Sequence, residues 1–307
     1  MKRVVSVSIG SSRRNHTVDL ELLGQHFRVE RIGTDGSMDK AVELIRQLDG
    51  QVAAFGMGGI DLYLVAGGRR YVIREAKRMA RAARISPIVD GSGLKDTLER
   101  RVVHHLARQG MDFRRLKALV VVGVDRFGLS EALVEHGCRV TFGDLMFGVG
   151  VPIPIRSLGT LRAAAAVLMP LLVQLPFKYL YPTGQSQEIV TPKFPRVFQE
   201  ADIIAGDFHY IRRYAPLELP GKIILTNTVT QEDVADLKRR GVWQLITTTP
   251  ELEGRSFGTN VMEALLVAAA GGHGSLRPQE YDRLLDQLGF RPRQEILNPA
   301  PAFAAEA

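Results

Sequence analysis

Apolar and polar positions alternate along Lys2–Ile9, with β-branched residues at several apolar sites, and this period of two predicts a strand. Val18–Leu23 and Phe27–Ile32 flank Gly24-Gln25 like the arms of a hairpin. Ser37 stands where an N-cap is expected, before a helix running to about Leu48 with Ala41, Leu44, Ile45 and Leu48 on one side. Val52–Phe55 reads as a short buried strand, and Leu62–Val65 with Tyr71–Ile73 around Gly67-Gly68 as a second hairpin. Arg74–Arg84 carries a helical pattern: Arg74, Lys77, Arg78 and Arg81 share one face, and Ala76, Met79, Ala80 and Ala83 the other.

From Leu116 the rhythm changes. LKALVVVG, CRVTFG, ADIIAGD, KIILTNT and WQLITTT are short apolar runs, and helical patterns such as LSEALVEHG, QEDVADLKRRG and GTNVMEALLVAAAGG alternate with them. Apolar strands alternating with helices predict a parallel sheet covered on both faces. The fold class expected is therefore α/β: an N-terminal mixed α/β domain over residues 1–100, then a Rossmann-like parallel-sheet domain over 101–290. An irregular Pro-rich and helical insert is expected at about 149–197, and a mobile tail from 291 to 307.

The length of 307 residues suits two domains at roughly 150 residues each. Cys138 is the single cysteine, which excludes an internal disulfide or a Cys-rich metal site; its flanks place it in the core. No metal site is expected, since His104 and His105 are adjacent and point apart on a helix. The N-terminal apolar run ends in arginines and reads as a first strand, not a signal peptide, so a cytoplasmic location is expected. Ala163–Phe177 has no charge, but it falls short of the roughly 20 residues that span a bilayer and is interrupted by Pro170 and Pro176. A buried helix, the contact of a homodimer or the wall of an apolar cleft is expected there, with attachment to a membrane surface as a lesser alternative, and no membrane span.

Net charge is +7, and residues 69–117 hold fourteen Lys/Arg against five Asp/Glu. The cations sit in helical patterns without aromatic interleaving, so an anionic small-molecule substrate is expected and nucleic acid is not.

Ligands of open parallel sheets bind beyond the carboxyl ends of the strands. Those ends carry Gly123, Asp125 and Arg126, then Asp144, then Gly206, Asp207 and His209, then Asn227 and Thr228, then Thr247, Thr248 and Thr249. The turn VVVGVDRFG keeps Gly123 and Gly128 of a dinucleotide fingerprint but has Asp125 where the middle glycine belongs. Arg126 stands next to Asp125 to offset its charge. Asp144, about 20 residues downstream, suits a ribose diol and favours NAD over NADP. S-adenosylmethionine, which has no pyrophosphate for Asp125 to repel, is an alternative occupant.

The stretch IVDGSGLKDTLERRVVHHLARQGMDFRRLKALVVVG is similar to the hinge and first nucleotide-binding strand of shikimate and quinate dehydrogenases. Blocks such as GMGGIDLYL, AGDFHYIRRY and RSFGTNVMEA extend the likeness to a bacterial family labelled quinate 5-dehydrogenase. The resemblance implies a catalytic role for Asp90, with Gly91 and Gly93 in its turn, and an acid–base lysine for which Lys77 and Lys95 are the candidates. It also implies that Ser11 and Ser12, with Arg13, hold the substrate carboxylate. NAD-dependent oxidation of a cyclic hydroxy acid is the reaction expected. A non-redox enzyme such as an S-adenosylmethionine-dependent methyltransferase, or a ligand sensor with a degenerate site, is the alternative.

Overall fold

The computed structural model describes residues 1–66, 69–175, 190–249, 251–252, 255–256 and 258–301. In chain order, Lys2–Ser8 (β1), His16–Leu22 (β2) and Gln25–Gly33 (β3) lead into the helix Met38–Leu48 (α1). Ala54–Gly58 (β4), the pair Tyr63–Ala66 and Arg69–Val72 (β5, β6), the single turn Lys77–Ala80 (α2), Ile88–Val89 (β7) and Ser92–Arg108 (α3) follow. Next come Lys117–Val120 (β8), Phe127–Glu135 (α4), Arg139–Phe142 (β9), Leu158–Leu172 (α5), Pro195–Glu200 (α6), Ile203–Ala205 (β10) and Phe208–Tyr214 (α7). Ile223–Thr226 (β11), Gln231–Arg239 (α8), Gln244–Thr247 (β12) and the pair Glu251–Leu252 and Arg255–Ser256 (β13, β14) precede Thr259–Ala270 (α9), Pro278–Gln287 (α10) and Arg293–Ile296 (β15).

Contacts divide the chain into two units, and neither is continuous in sequence. The first comprises Met1–Thr97, Leu168–Gln187 and Phe257–Phe290; the second comprises Leu98–Val167, Glu188–Ser256 and Arg291–Ala307. The expected boundary at residue 100 lies within α3, close to the observed division. The expectation of one unbroken domain over 101–290 is corrected, because α9 and α10 belong to the first unit. The apolar face of α9 is completed by β1, β4 and β7, and α10 is tied to α9 through the Tyr281 hydroxyl, which donates to Glu263.

The first unit is built on a five-stranded sheet in the order β2-β3-β1-β4-β7. β3, β1, β4 and β7 run parallel, and β2 joins the edge antiparallel through the turn at Leu23-Gly24. Val4, Val5 and Val7 are all buried, so β1 is covered on both faces as the centre of a parallel sheet must be. Ser37 caps α1 as expected, its hydroxyl accepting from the Lys40 amide. The buried strand starts at Ala54, two residues later than expected, and its glycines allow close approach: a Cβ at Gly56 stands 2.8 Å from the Asn260 carbonyl oxygen.

The long basic helix over Arg74–Arg84 is not formed. Only Lys77–Ala80 is helical, and the buried residues Ala76, Met79 and Ala82 repeat every three positions. Both ends of the stretch are held by other partners: the Ile73 and Arg74 amides donate to the Leu62 and Val173 carbonyls, and the Asp49 carboxylate accepts from the amides of Arg84, Ile85 and Ser86 and holds that backbone in a turn. Gly67-Gly68, the expected turn between β5 and β6, lies outside the described residues.

The second unit holds a six-stranded sheet, β9-β8-β10-β11-β12-β15. Its first five strands are parallel, and the strand order reverses between β8 and β10, which is the doubly wound arrangement. The mobile tail is corrected in part: β15 pairs antiparallel with β12, Leu297 is buried, and the Asn298 amide donates to the Lys238 and Val242 carbonyls. RQEI is too polar to announce a strand, since an edge strand buries little. Residues 302–307 of that tail lie outside the described residues.

The helix α5 continues through Pro170 to Leu172 instead of breaking there. Leu161, Ala165, Met169 and Val173 form its one buried stripe, while Val167 and Leu171 face solvent. Residues 176–177 of the apolar run are outside the described residues. Among the described residues no helix is long and apolar enough to cross a membrane.

Candidate functional site

In the first unit the carboxyl ends of β3, β1, β4 and β7 lie side by side along one edge of the sheet. Asp90 follows β7 and is buried. Its Oδ2 accepts from the amides of Leu62 (2.5 Å) and Tyr63 (3.2 Å), and its Oδ1 from the Ser92 amide (3.2 Å) and hydroxyl (2.7 Å). The Leu62 and Tyr63 amides fix the Asp90 loop to the segment after β4, and the two Ser92 donors close the turn itself. Lys95, one turn into α3, is not on Asp90: its Nζ lies 2.9 Å from Asp61 Oδ2, with the two side chains 12% and 22% exposed. Lys77, the other lysine candidate, is exposed on the basic surface and lines a groove with Arg74, Arg78 and Arg81.

Beneath the Asp90 turn lies a group absent from the sequence-based candidates. Glu263 of α9 is fully buried, accepts the Gly91 amide at 2.6 Å and accepts the Tyr281 hydroxyl at 2.5 Å. Burial, followed by the charge of Asp90, pushes the Glu263 carboxyl up to about 7. Gly91 (φ +94°) and Gly93 are required here: added Cβ atoms would stand 2.7 Å from the Asn260 amide nitrogen and 2.5 Å from Glu263 Oε1.

Ser11 and Ser12 lie in the loop that follows β1. The Ser11 hydroxyl caps the Arg13 amide, the Ser12 amide donates to Asp35, and Arg13 is exposed. The cation at this loop is instead Arg31, near the end of β3. Its guanidinium donates to the Ser8 hydroxyl (3.1 Å) and the Ser11 carbonyl (3.0 Å) and has no carboxylate partner among the described residues. Burial, then the charge of Arg14, lowers Arg31 to about 10. Strand register brings Arg31 to the loop, and register is not visible in a single sequence.

The strand ends of the second unit bring the nucleotide candidates together, and there they satisfy one another. Arg126 is buried; its Nη1 donates to Glu99 (2.8 Å) and its Nη2 to Asp207 (2.7 Å). Its Nε sits 3.2 Å from Asp125 Oδ2 without hydrogen-bond alignment. Burial opposes the Arg126 charge, but Glu99, Asp125 and Asp207 together hold it well above its usual range. Asp144 does not stand free for a ribose. Its two oxygens accept the amides of Gly123 and Val124, each at 2.9 Å, and burial pushes its carboxyl up to about 6.

The other tips interlock in the same way. The Asn227 amide donates to Asp207, the Thr226 hydroxyl to the Gly206 carbonyl, and the Thr228 and Thr249 hydroxyls meet at 3.2 Å. Thr248 is buried, its amide on the Thr226 carbonyl, and Gly128 is buried in the first turn of α4. Asp207 caps α7 through the His209 amide.

A dinucleotide does not fit this turn. The amides that would receive pyrophosphate already hold the Asp144 carboxylate, and three further carboxylates surround the one guanidinium. A Cβ at Gly123 would meet Phe142, Leu161 and Ser130 within 2.8–3.1 Å, so side chains fill the space over the glycine. No group of three or more His, Cys, Asp or Glu is placed to hold a metal ion among the described residues. His104 does meet a second histidine, His136, at 2.8 Å, a pairing that adjacency with His105 concealed.

No curated protein matches the chain. Among solved structures, the NAD-dependent malic enzyme of Thermotoga maritima is similar at 12% identity and a TM-score of 0.43, over 99% of this chain and 81% of that one. The hetero-hexameric glutamate dehydrogenase of Thermus thermophilus is similar at 12% identity and 0.40, over 94% and 73%. A galactofuranose binding protein is similar at 10% identity and 0.36, over 94% and 98%. Residues 3–90 match the model described as Domain of unknown function (DUF8753). Residues 93–297, more than half of the sequence, match the model described as Domain of unknown function (DUF8754), and the chain belongs to that family.

Proposed function

We propose that this protein binds a small hydroxylated carboxylic acid, of the quinate or shikimate class, at the carboxyl edge of the first unit's sheet. The observation that carries this reading is the Lys95–Asp61 ion pair, mostly shielded from water and located on the same edge as an Arg31 guanidinium without an acidic partner among the described residues. Arg31 and the Ser11 loop supply charge-assisted donors for the carboxylate. Lys95, held by Asp61, supplies the proton-exchanging Nζ for a hydroxyl, and Asp90 fixes the loop that carries Asp61. Neighbouring strands lie roughly 4.8 Å apart, so Arg31 on β3 and the loop after β4 are separated by about 10 Å of backbone, a span that two long side chains close on a small ring acid.

Nicotinamide-dependent oxidation of the bound alcohol, which the resemblance of the DGSG segment implies, is the competing reading. No hydride step is assigned, because Asp144 occupies the amides of the turn that would cradle the cofactor. Calorimetric titration with quinate and shikimate tests the binding. Arg31→Gln and Lys95→Met should each weaken the acid by roughly 10- to 100-fold, the loss of one charge-assisted hydrogen bond. Thermal midpoints with NAD, NADP and S-adenosylmethionine test the nucleotide separately, and no shift is expected with any of them. Absence of heat with both acids sinks the proposal. A shift with NAD, followed by nicotinamide absorbance change on adding either acid, replaces it with the dehydrogenase.

A further inference from the structure

The exposed face of α5 is apolar where a water-facing helix should be polar. Within the first unit, Leu171 is 71% exposed and Leu175 is 42% exposed, and Pro170 lies beside them on the solvent side. The end of this segment is tied to the basic stretch, since the Arg74 amide donates to the Val173 carbonyl at 3.1 Å. A groove of about 600 Å³ runs between them, lined by Arg74, Glu75, Lys77, Arg78 and Arg81 on one side and Gln174 and Leu175 on the other, so four cations stand against one carboxylate. Arg78 is paired with Asp39, but Arg74, Lys77 and Arg81 have no carboxylate partner among the described residues. A second groove, lined by Asp39, Val42, Glu43 and Arg46 of α1, shares Arg78 and Arg81 with the first and is of mixed charge.

We propose that this face docks on an anionic lipid surface. Two features select that occupant. Exposed leucines gain from an apolar partner, which neither a free phosphate nor a nucleic-acid backbone offers. The cations Arg74, Lys77 and Arg81, without a carboxylate partner among the described residues, select negative charge, and cations with an adjoining apolar face are the two elements of peripheral membrane binding. The same failure of Arg74–Arg84 to form a helix serves the surface: the three-residue repeat buries Ala76, Met79 and Ala82 and leaves the cations on the outside. The docking residues Arg74, Lys77, Arg81, Leu171 and Leu175 share no member with the acid-binding set Arg31, Asp61 and Lys95, so the variants test the two proposals independently.

Sedimentation of the full chain with vesicles tests the proposal. The protein should pellet with phosphatidylcholine vesicles containing phosphatidylglycerol, and not with phosphatidylcholine alone. Reversing three cations (R74E, K77E and R81E together) should weaken partitioning by on the order of 100-fold or more, since each basic residue near such a surface contributes roughly fivefold. Leu171→Ser with Leu175→Ser should weaken it by about tenfold while the melting midpoint stays unchanged, because both side chains already face solvent. Equal pelleting with the two vesicle types, or an unaffected charge variant, overturns the proposal. So does full competition by glycerol phosphate or by a DNA duplex with the double-serine variant unaffected, which would assign the cations to a soluble anion or to nucleic acid.

Discussion

Glu263 provides the sharpest test of how the Asp90 turn is built. Its carboxyl is fully buried between the Gly91 amide and the Tyr281 hydroxyl, and burial together with Asp90 lifts it from 4.5 to about 7. A carboxyl that binds its proton more tightly in the fold stabilises the fold at low pH. That contribution is complete below pH 4.5 and disappears as pH rises through 7, where the native state must hold a buried charge. Between pH 5 and pH 8 the linkage amounts to about 2–3 kcal/mol, on the order of a few °C of melting midpoint for a chain of this length. Glu263→Gln removes the titration and keeps the contacts, its amide oxygen accepting from Gly91 and its nitrogen donating to the Tyr281 oxygen. Scanning calorimetry of both proteins at pH 5, 6, 7 and 8 should show the variant gaining on the natural sequence by that amount as pH rises. Parallel curves, with a midpoint difference that does not change with pH, would refute the reasoning.

Other outcomes follow from the same packing. Arg126→Met leaves Glu99, Asp125 and Asp207 facing one another in a buried site, and urea unfolding should report a loss of about 3–5 kcal/mol. Gly91→Ala combines a positive φ with a backbone nitrogen 2.7 Å from the new Cβ. Its cost should be about 3 kcal/mol, read as an earlier denaturant midpoint; a neutral substitution would mean the turn relaxes freely. Thr230→Ala removes a capping box in which Thr230 and Asp233 exchange hydrogen bonds at the start of α8. A loss of about 1 kcal/mol is expected by the same measurement.

Much of the architecture is legible because local patterns report it directly. Apolar runs such as ALV, IIA, IILT and QLIT announce strands buried on both faces, and Ser37 marks a helix start through its own capping bond. The candidate site was legible only in part. Asp90, Lys95, Ser11 and Ser12 fall on one sheet edge of the first unit, as their positions after apolar strands suggest. Arg31 and Asp61 carried no local signal, because an arginine in a strand and an aspartate in a glycine turn are ordinary features until register brings them to that edge.

Sequence by itself determined the α/β class, the strand-to-helix change of rhythm near Leu116 and the placement of polar residues at strand tips, since each follows from periodicities of two and 3.6 residues. Tertiary structure alone decided what those residues face. It turned Asp144 inward onto the Gly123 and Val124 amides, surrounded Arg126 with three carboxylates, sent α9 and α10 to the first unit, and set Glu263 beneath Gly91. The reason is physical: a carboxylate at a strand end is equally suited to a ligand and to a backbone amide. Which one it meets depends on contacts between residues far apart in the chain, which no local pattern encodes.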